Sequence, residues 1–136
     1  MSRIYLDANS IIYLVEVVSP FHATVAARLL PYRTDPQSRI VTSRLSRLEC
    51  RIQPLRNADT RLLAEYDAFF SRERLIISEV TADIIERATN LRARYNFKTP
   101  DAIHFATALE EKVDLFLTGD GALARCVEVK VEVIAG

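Results

Sequence analysis

Short apolar segments alternate with helix-like segments along this chain, and the alternation restricts the fold more than any other sequence feature. Four of these segments have the length and composition of buried strands, and they cover residues 4–6, 39–42, 75–77 and 115–117. Residues 127–134 alternate apolar and charged side chains, which indicates a half-exposed edge strand. Strands that alternate with helices predict an α/β fold with a mainly parallel sheet and right-handed crossovers.

Capping residues and prolines divide the intervening segments into predicted helices. Their bounds are residues 10–17, 19–32, 43–52, 60–71, 81–95, 99–111 and 121–125. Pro54 is expected to end the third helix, because proline lacks the N–H that the next turn needs. The expected N-caps include Ser43, Thr60, Thr81 and Thr99. Neither a repeat nor an interdomain linker is evident, so the sequence predicts one domain over residues 1–136.

Composition adds few restrictions on function. Acidic and basic residues balance at 18 each, so net charge by itself predicts no polyanionic partner. The basic residues are 15 Arg and three Lys, and Arg can hold phosphate or carboxylate groups through two parallel hydrogen bonds. Such a surplus of Arg is typical of phosphate or acidic-partner recognition, but a GC-rich coding sequence would produce it equally well.

The sequence contains no candidate membrane or export segment. Its first residues lack the pattern of a signal peptide, and the longest apolar run, residues 11–18, is interrupted by Glu16 and too short to span a bilayer. Cys50 and Cys126 have neither metal-type spacing nor the arrangement of a disulfide framework. A soluble cytoplasmic protein without a membrane partner is therefore expected.

Two aspartates lie at the ends of predicted strands. Asp7 follows the first strand directly, and Asp120 lies just past the fourth. Because open parallel sheets bind ligands at the carboxyl ends of their strands, both side chains are expected at the same edge of the sheet. Taken alone, each is better explained as an ordinary Asx-turn or helix cap.

Two further carboxylates lie in predicted helices. Glu49 is expected on the same face as Leu45, Leu48 and Ile52, and a carboxylate on a core-facing stripe needs an ionic partner or a metal. A salt bridge to a neighbouring Arg is the alternative. Asp101 is expected in the first turn of its helix, where the helix dipole favours a negative charge.

Convergence of these four carboxylates would require compensation for their mutual repulsion. Two unit charges about 6 Å apart at an effective dielectric of ~20 repel each other by roughly 3 kcal/mol. A hard divalent cation with oxygen ligands supplies the compensation, and such an ion activates water and stabilises charge on a phosphoryl group. The sequence therefore suggests a Mg²⁺ or Mn²⁺ site without His or Cys ligands, and structural roles are expected for His22 and His104.

Four motifs follow one another along the chain. They are an Asp after the first strand, a Ser followed by an acidic residue in a helix, an Asp that begins a small-residue-rich helix, and a Thr-Gly-Asp sequence, and they lie at residues 4–9, 43–49, 99–108 and 117–120. Together these motifs resemble the PIN domain and, within it, the VapC-type toxins of bacterial and archaeal toxin–antitoxin pairs. The resemblance covers essentially the whole chain. It implies a three-layer fold with helices on both faces of a mainly parallel sheet of four to five strands.

The resemblance also implies an activity, partners and a set of site residues. It implies a Mg²⁺- or Mn²⁺-dependent endoribonuclease that hydrolyses RNA phosphodiester bonds, forms homodimers and is inhibited by a cognate antitoxin. The residues that it assigns to metal binding and catalysis are Asp7, Glu49, Asp101 and Asp120, with Asn9, Ser43 and Thr118 as polar supports.

Six arginines lie within a stretch that holds only two acidic residues, namely Arg39, Arg44, Arg47, Arg51, Arg56 and Arg61. Three of them share the predicted helix of Glu49 and are expected to contact RNA phosphates, which would make binding salt-dependent; they are Arg44, Arg47 and Arg51. A contact with an acidic segment of the antitoxin, or a solvated helix face, would explain the same residues.

Two other interpretations of the acidic residues remain open. The segments around Asp7 and Asp120 superficially resemble the signatures of a HAD-type phosphatase, which forms an aspartyl-phosphate intermediate. However, Asn9 replaces the second Asp of that signature, and Ala124 stands where its paired acid is required. A non-catalytic PIN-like binding module is the second alternative, and it would show no metal binding that depends on Asp7 or Asp101.

Overall fold

Five short parallel strands form one sheet at the centre of the molecule. The computed structural model describes residues 2–135, and its strands are β1 (Arg3–Leu6), β2 (Arg39–Ser43), β3 (Leu75–Ser78), β4 (Leu115–Thr118) and β5 (Val131–Val133). Their order is β3-β2-β1-β4-β5, and each neighbouring pair is parallel. The predicted parallel sheet is confirmed, although the edge strand β5 is shorter than the predicted residues 127–134.

Helices connect the strands along the described part of the chain. They are α1 (Ala8–Val15), α2 (Phe21–Thr34), α3 (Arg44–Arg56), α4 (Thr60–Phe70), α5 (Ala82–Tyr95) and α6 (Thr99–Glu110), and a 3₁₀ turn covers Gly121–Arg125. Among residues 2–135, no helix has both the length and the apolar character that crossing a membrane requires.

Alternate residues of the central strands contribute to two separate cores. Ile4 and Leu6 of β1 pack with buried residues of α1 to α4, whereas Tyr5 packs with buried residues of α5 and α6. Leu115, Leu117 and Phe116 of β4 divide in the same way, because successive strand residues point to opposite faces. The chain therefore forms three layers with helices on both faces of the sheet, as the resemblance implied.

The strand order changes direction at the centre of the sheet. β2 and β3 extend from one side of β1, whereas β4 and β5 extend from its other side. In an open α/β sheet, the carboxyl ends of the strands at such a point border a crevice in which ligands bind. Leu6 pairs with Leu117, so the next residues along the two strands, Asp7 and Thr118, lie side by side at this edge.

Two prolines lie in the last turn of a helix rather than after its last residue. α3 continues past Pro54 to Arg56, and α2 contains Pro31 near its own end. The prediction that Pro54 ends its helix was therefore wrong. In the last turn of a helix a proline removes a single backbone hydrogen bond, and the burial of Pro54 against the core offsets part of that loss.

Several helices begin at a different residue from the predicted one. Asp7 caps α1, so that helix begins at Ala8. Asp59 rather than Thr60 caps α4, and Lys98 rather than Thr99 occupies the N-cap position of α6. Two predicted N-caps are confirmed by hydrogen bonds from backbone N–H groups, namely Ser43 and Thr81. Asp101 still lies in the first turn of α6, where negative charge is favoured.

Gly119 lies where the loop after β4 passes close to α1. A Cβ atom at this position would lie 2.7 Å from Cε2 of Tyr13 and 2.8 Å from its hydroxyl oxygen. The Tyr13 ring stacks on Phe21 with ring centroids 4.7 Å apart, which restricts its movement. The absence of a side chain at Gly119 therefore allows the loop that carries Asp120 to approach α1.

We predict that Gly119→Ala lowers the free energy of unfolding by about 1–3 kcal/mol, the usual cost of overpacking. Gly121→Ala is the matched control, because nothing lies within 4 Å of a Cβ built at that position. Urea denaturation of both variants measures the difference. Equal stability of the two variants would contradict this account of the Gly119 contact.

Candidate active site

Asp7 is buried at the carboxyl end of β1, with 5% of its surface exposed. Its Oδ1 accepts a hydrogen bond from the backbone N–H of Ser10 at 3.0 Å, and its Oδ2 accepts one from the Thr118 hydroxyl at 2.6 Å. Asp7 therefore caps α1, as the helix-cap explanation predicted. Oδ2 has one donor among the described residues, so a lone pair of this oxygen stays free for a ligand.

Ser10 is a buried support that the sequence analysis missed. Its hydroxyl oxygen lies 2.8 Å from Oδ1 of Asp7 and 2.8 Å from the carbonyl oxygen of Leu117, so its single proton can serve either. Its position three residues after an N-cap was the available signal. Asn9, which was expected to support the acids, is exposed, and none of the described hydrogen bonds joins its side chain to them.

Thr118 connects the aspartates of the two central strands. Its hydroxyl donates to Asp7 and accepts from the backbone N–H of Asp120 at 3.1 Å. The exposed side chain of Asp120 accepts from the backbone N–H of Ala122 at 2.9 Å and caps the 3₁₀ turn. One hydroxyl thus fixes Asp7 and the start of the Asp120 loop relative to each other.

Asp101 lies within electrostatic range of the other three predicted acids. Burial raises the pKa of Asp101, and the charges of Asp120, Asp7 and Glu49 raise it as well, while His104 acts in the opposite direction. The structure therefore brings the four carboxylates to one edge of the sheet, the acidic edge, where their negative charges repel one another.

Glu49 does not lie on the face of α3 that the sequence predicted. The buried residues of α3 are Ser46, Cys50 and Pro54, whereas the side chains of Leu48 and Ile52 are 57% and 41% exposed. The prediction that Glu49 shares a core-facing stripe with Leu48 and Ile52 was therefore wrong. Small residues form the inner face of α3, and Glu49 lies beside that face with 28% of its side chain exposed.

His104 is the polar partner of Glu49. Its Nε2 lies 2.6 Å from Oε1 of Glu49, and its Nδ1 lies 2.6 Å from the hydroxyl oxygen of Tyr5. Among the described residues, Glu49 forms no ion pair with an arginine, so the alternative explanation for this residue does not hold. His104 is buried, as a structural histidine would be, but it contacts one of the four acids directly.

The three arginines of α3 that were expected to contact RNA are engaged in ion pairs. Arg44 Nη2 lies 2.7 Å from Glu79 Oε2, and Arg47 Nη1 lies 2.9 Å from Asp67 Oδ1. The Nε of Arg51 is 3.3 Å from the same Asp67 oxygen, without the geometry of a hydrogen bond. Acidic residues from outside the arginine-rich stretch therefore reduce its net positive charge.

The donor set at this edge suits a hard divalent cation. The four predicted acids offer only carboxylate oxygens, which are ligands that Mg²⁺ prefers. Within residues 2–135, no three His, Cys, Asp or Glu side chains are close enough to bind one ion directly. Because Mg²⁺ usually keeps several water ligands and is bound by one or two carboxylates, it does not need three protein side chains as direct ligands.

We predict that Asp101→Asn stabilises the metal-free protein at pH 7 by about 1 kcal/mol, an estimate for partly solvated charges. The folded state raises the pKa of Asp101, so it favours the protonated carboxyl over the carboxylate. The stability gained from the protonated form is fully present below the ordinary pKa of 3.8 and is lost as pH rises through the folded-state pKa. The melting temperature in EDTA should rise by roughly 2–6 °C at pH 7 and by less at pH 4.

Asp83→Asn is the matched control for this prediction. Asp83 lies in the first turn of α5 as Asp101 lies in the first turn of α6, but it is exposed. Its replacement loses a favourable helix-dipole interaction and relieves no repulsion at the acidic edge. A melting temperature that rises equally in both variants would count against repulsion among the four acids.

Comparisons with known proteins agree with the fold. The chain matches the family model of the PIN domain over residues 4–128. No curated protein matches it.

Three solved structures illustrate the likeness of the fold. VapBC2 from Rickettsia felis, bound to a DNA fragment of its promoter, has 16% identity and a TM-score of 0.79, and the match covers 98% of this chain and 99% of that chain. DNA-bound VapBC from Salmonella typhimurium has 18% identity and a TM-score of 0.77, with 98% of each chain covered. VapC20 from Mycobacterium tuberculosis, a sarcin-ricin loop cleaving toxin, has 23% identity and a TM-score of 0.70, with 93% of this chain and 98% of that chain covered. At these identities the likeness establishes the fold alone. Together with the family match over residues 4–128, it means that this chain belongs to the PIN domain family.

Proposed function

We propose that this protein is a metal-dependent endoribonuclease that hydrolyses RNA phosphodiester bonds. The observation that supports this most directly is the set of charges around Asp101, whose pKa is raised by burial and by Asp120, Asp7 and Glu49. Carboxylates that repel one another at a ligand-binding edge are suited to a divalent cation. Membership of the PIN domain family supports nuclease chemistry at this edge.

In this proposal, the four acids hold one or two Mg²⁺ or Mn²⁺ ions. Such an ion lowers the pKa of a bound water and neutralises charge on the scissile phosphate. Thr118 and Ser10 keep Asp7 in place by hydrogen bonds at the junction of β1 and β4. Asp101 is presented by the first turn of α6, where the helix dipole partly stabilises its negative charge.

The free thiol near this edge is unsuited to be the nucleophile. Burial raises the pKa of Cys50, and the neighbouring charges of Glu49, Glu16 and Asp7 raise it further. Because the thiolate is the reactive form, a thiol that stays protonated does not compete with water. The family match gives no support to the HAD-type alternative. A protein without nuclease activity would instead indicate a non-catalytic binding module.

The proposal extends to a toxin that is paired with an antitoxin. The VapBC chains from Rickettsia felis and Salmonella typhimurium share this fold over nearly their whole length, and another similar chain comes from a toxin–antitoxin complex of Klebsiella pneumoniae. We accordingly propose a cognate antitoxin and a homodimer as the partners, and the cytoplasm as the compartment of action. The substrate class is RNA, as cleavage of the sarcin-ricin loop by the structurally similar VapC20 suggests.

The arginines of α3 are proposed as secondary phosphate contacts. Each guanidinium has five N–H donors, and the pairs with Glu79 and Asp67 use only some of them. Phosphate binding by Arg44, Arg47 and Arg51 would therefore not require breaking those pairs. Their partial neutralisation predicts a moderate salt dependence of RNA binding.

The activity is tested by mapping new RNA ends. Purified protein without a partner is incubated with total RNA of its host in Mg²⁺, Mn²⁺ or EDTA. We expect specific new ends with either metal and none with EDTA. Asp7→Asn and Asp101→Asn should each lower the cleavage rate by at least about 100-fold, since even indirect partners of metal ligands can be worth that much.

Asp83→Asn is the control for this experiment, because it removes an equivalent first-turn carboxylate away from the acidic edge. It should cleave like the wild type. Cleavage that survives in a folded Asp7→Asn protein would refute the assignment of the site. The absence of metal-dependent ends in the wild type would indicate a binding module instead.

RNA binding by the α3 arginines is measured in the Asp7→Asn background, by anisotropy of a labelled RNA that contains the mapped site. Replacing Arg47 or Arg51 with Gln should weaken binding a few-fold and lower the salt slope by about 1, as expected for one lost phosphate contact. Arg61→Gln is the control, since its side chain is 91% exposed and pairs with Glu65 on α4. An equal loss in Arg61→Gln would mean that the contacts are not specific to α3.

A further inference from the structure

Tyr5, His104 and Glu49 form a chain of two hydrogen bonds that runs from the core to the acidic edge. The Tyr5 hydroxyl lies 2.6 Å from Nδ1 of His104, and Nε2 of His104 lies 2.6 Å from Oε1 of Glu49. Tyr5 and His104 are buried, whereas Glu49 is partly exposed. The chain therefore joins β1, α6 and α3, which are the elements that present Asp7, Asp101 and Glu49.

We propose that His104 is a positioning residue of the metal site, which donates its Nε2 proton to Glu49 and holds that carboxylate in one orientation. This inference rests on the proposed function, because it has a functional meaning only if Glu49 helps to bind the metal. It assigns His104 no part in proton transfer during the reaction.

The location of the imidazole proton follows from Tyr5. The Tyr5 hydroxyl oxygen lies 2.6 Å from Nδ1 of His104, which is hydrogen-bond distance, and the phenol supplies the proton of this bond. A phenol that donates to Nδ1 makes this nitrogen the acceptor, so the N–H of the ring lies on Nε2. An N–H at Nε2 is the donor that the neighbouring carboxylate of Glu49 requires.

The surroundings of His104 keep the imidazole in a fixed place. Its ring makes an edge contact with Tyr5, at 5.8 Å between centroids, and Tyr5 is stacked on Phe116 at 5.0 Å. His104 also follows Asp101 by three residues on α6, so both point from the same side of this helix. Glu49 has three rotatable side-chain bonds, and a rigid donor at Oε1 reduces the conformational entropy that metal binding must otherwise remove.

The experiment is a calorimetric titration of the purified wild-type protein with Mn²⁺, repeated on variants in two backgrounds. His104→Leu removes the donor, and His104→Gln keeps an N–H donor close to the position of Nε2. Each is measured with Glu49 present and in combination with Glu49→Gln. His22→Leu is the matched control, because the other histidine of the chain lies near backbone carbonyl groups of α1 rather than a carboxylate.

We expect His104→Leu to weaken Mn²⁺ binding by 10- to 100-fold, the usual effect of removing a partner of a metal ligand. His104→Gln should recover most of this affinity, and His22→Leu should bind Mn²⁺ like the wild type. In the Glu49→Gln background, His104→Leu should change the Mn²⁺ affinity by less than about threefold. Wild-type affinity in His104→Leu, or an equal loss in both backgrounds, would overturn the positioning role. If the wild type binds no Mn²⁺, the proposed function fails, and this inference fails with it.

Folding of each variant is checked by near-ultraviolet circular dichroism before the titration. If His104→Leu does not fold, Tyr5→Phe replaces it, because this change keeps the stacked ring and removes only the donor to Nδ1. Tyr5→Phe should weaken Mn²⁺ binding a few-fold when Glu49 is present and leave it unchanged in the Glu49→Gln background. Unchanged affinity of Tyr5→Phe in both backgrounds would then count against the chain of hydrogen bonds.

Discussion

The parallel pairing of β1 with β4 is the interaction on which the rest of the site depends. Their register aligns Leu6 with Leu117, and the next residue of each strand then forms the hydrogen bond between Asp7 and Thr118. The two strands also lie where the sheet order changes direction, so their carboxyl ends border a crevice. A shift of the register by one residue would separate this pair and turn the strand side chains to the opposite cores.

Repulsion among the carboxylates of the acidic edge lowers stability, and the divalent cation of the proposed function would offset it. Asp7 accepts hydrogen bonds at both carboxylate oxygens, whereas Asp101 has no such side-chain or backbone donor among those described, and burial raises the pKa of Asp101. Neighbouring acids at one edge thus differ in their environments, as is common where residues serve chemistry rather than folding. In the buried layer beneath, Tyr5 stacks on Phe116 and makes an edge contact with His104, which restricts the movement of all three rings.

Much of the architecture could be predicted from the sequence, because strand-like segments alternate with capped helices and a parallel sheet places its strand ends together. The parallel sheet and the caps at Ser43 and Thr81 were predicted in this way, whereas the three-layer arrangement was implied by the resemblance to the PIN domain. Helix ends were less predictable, since a proline in the last turn costs only one hydrogen bond, as at Pro54. The error at α3 had another cause: small residues at Ser46 and Cys50 face the core there, while apolar periodicity selected the exposed Leu48 and Ile52.

Local sequence patterns could not predict contacts between distant segments of the chain. The sequence analysis identified the four acids, but it assigned His104 to ordinary packing, since only the tertiary structure brings residue 104 next to residue 49. It likewise could not foresee that Glu79 and Asp67 would pair with the arginines of α3. His104 lies 55 residues from Glu49 along the chain, and Asp67 lies 20 residues from Arg47.

The central proposal is that the acidic edge at the junction of β1 and β4 binds a divalent metal ion through carboxylates. A crystal structure of the wild-type protein grown with Mn²⁺ tests it most directly, by anomalous scattering from the metal. The account predicts an anomalous peak beside the carboxylate oxygens of Asp7 and Asp101. A peak at some other place, or none at a Mn²⁺ concentration that supports RNA cleavage, would contradict it.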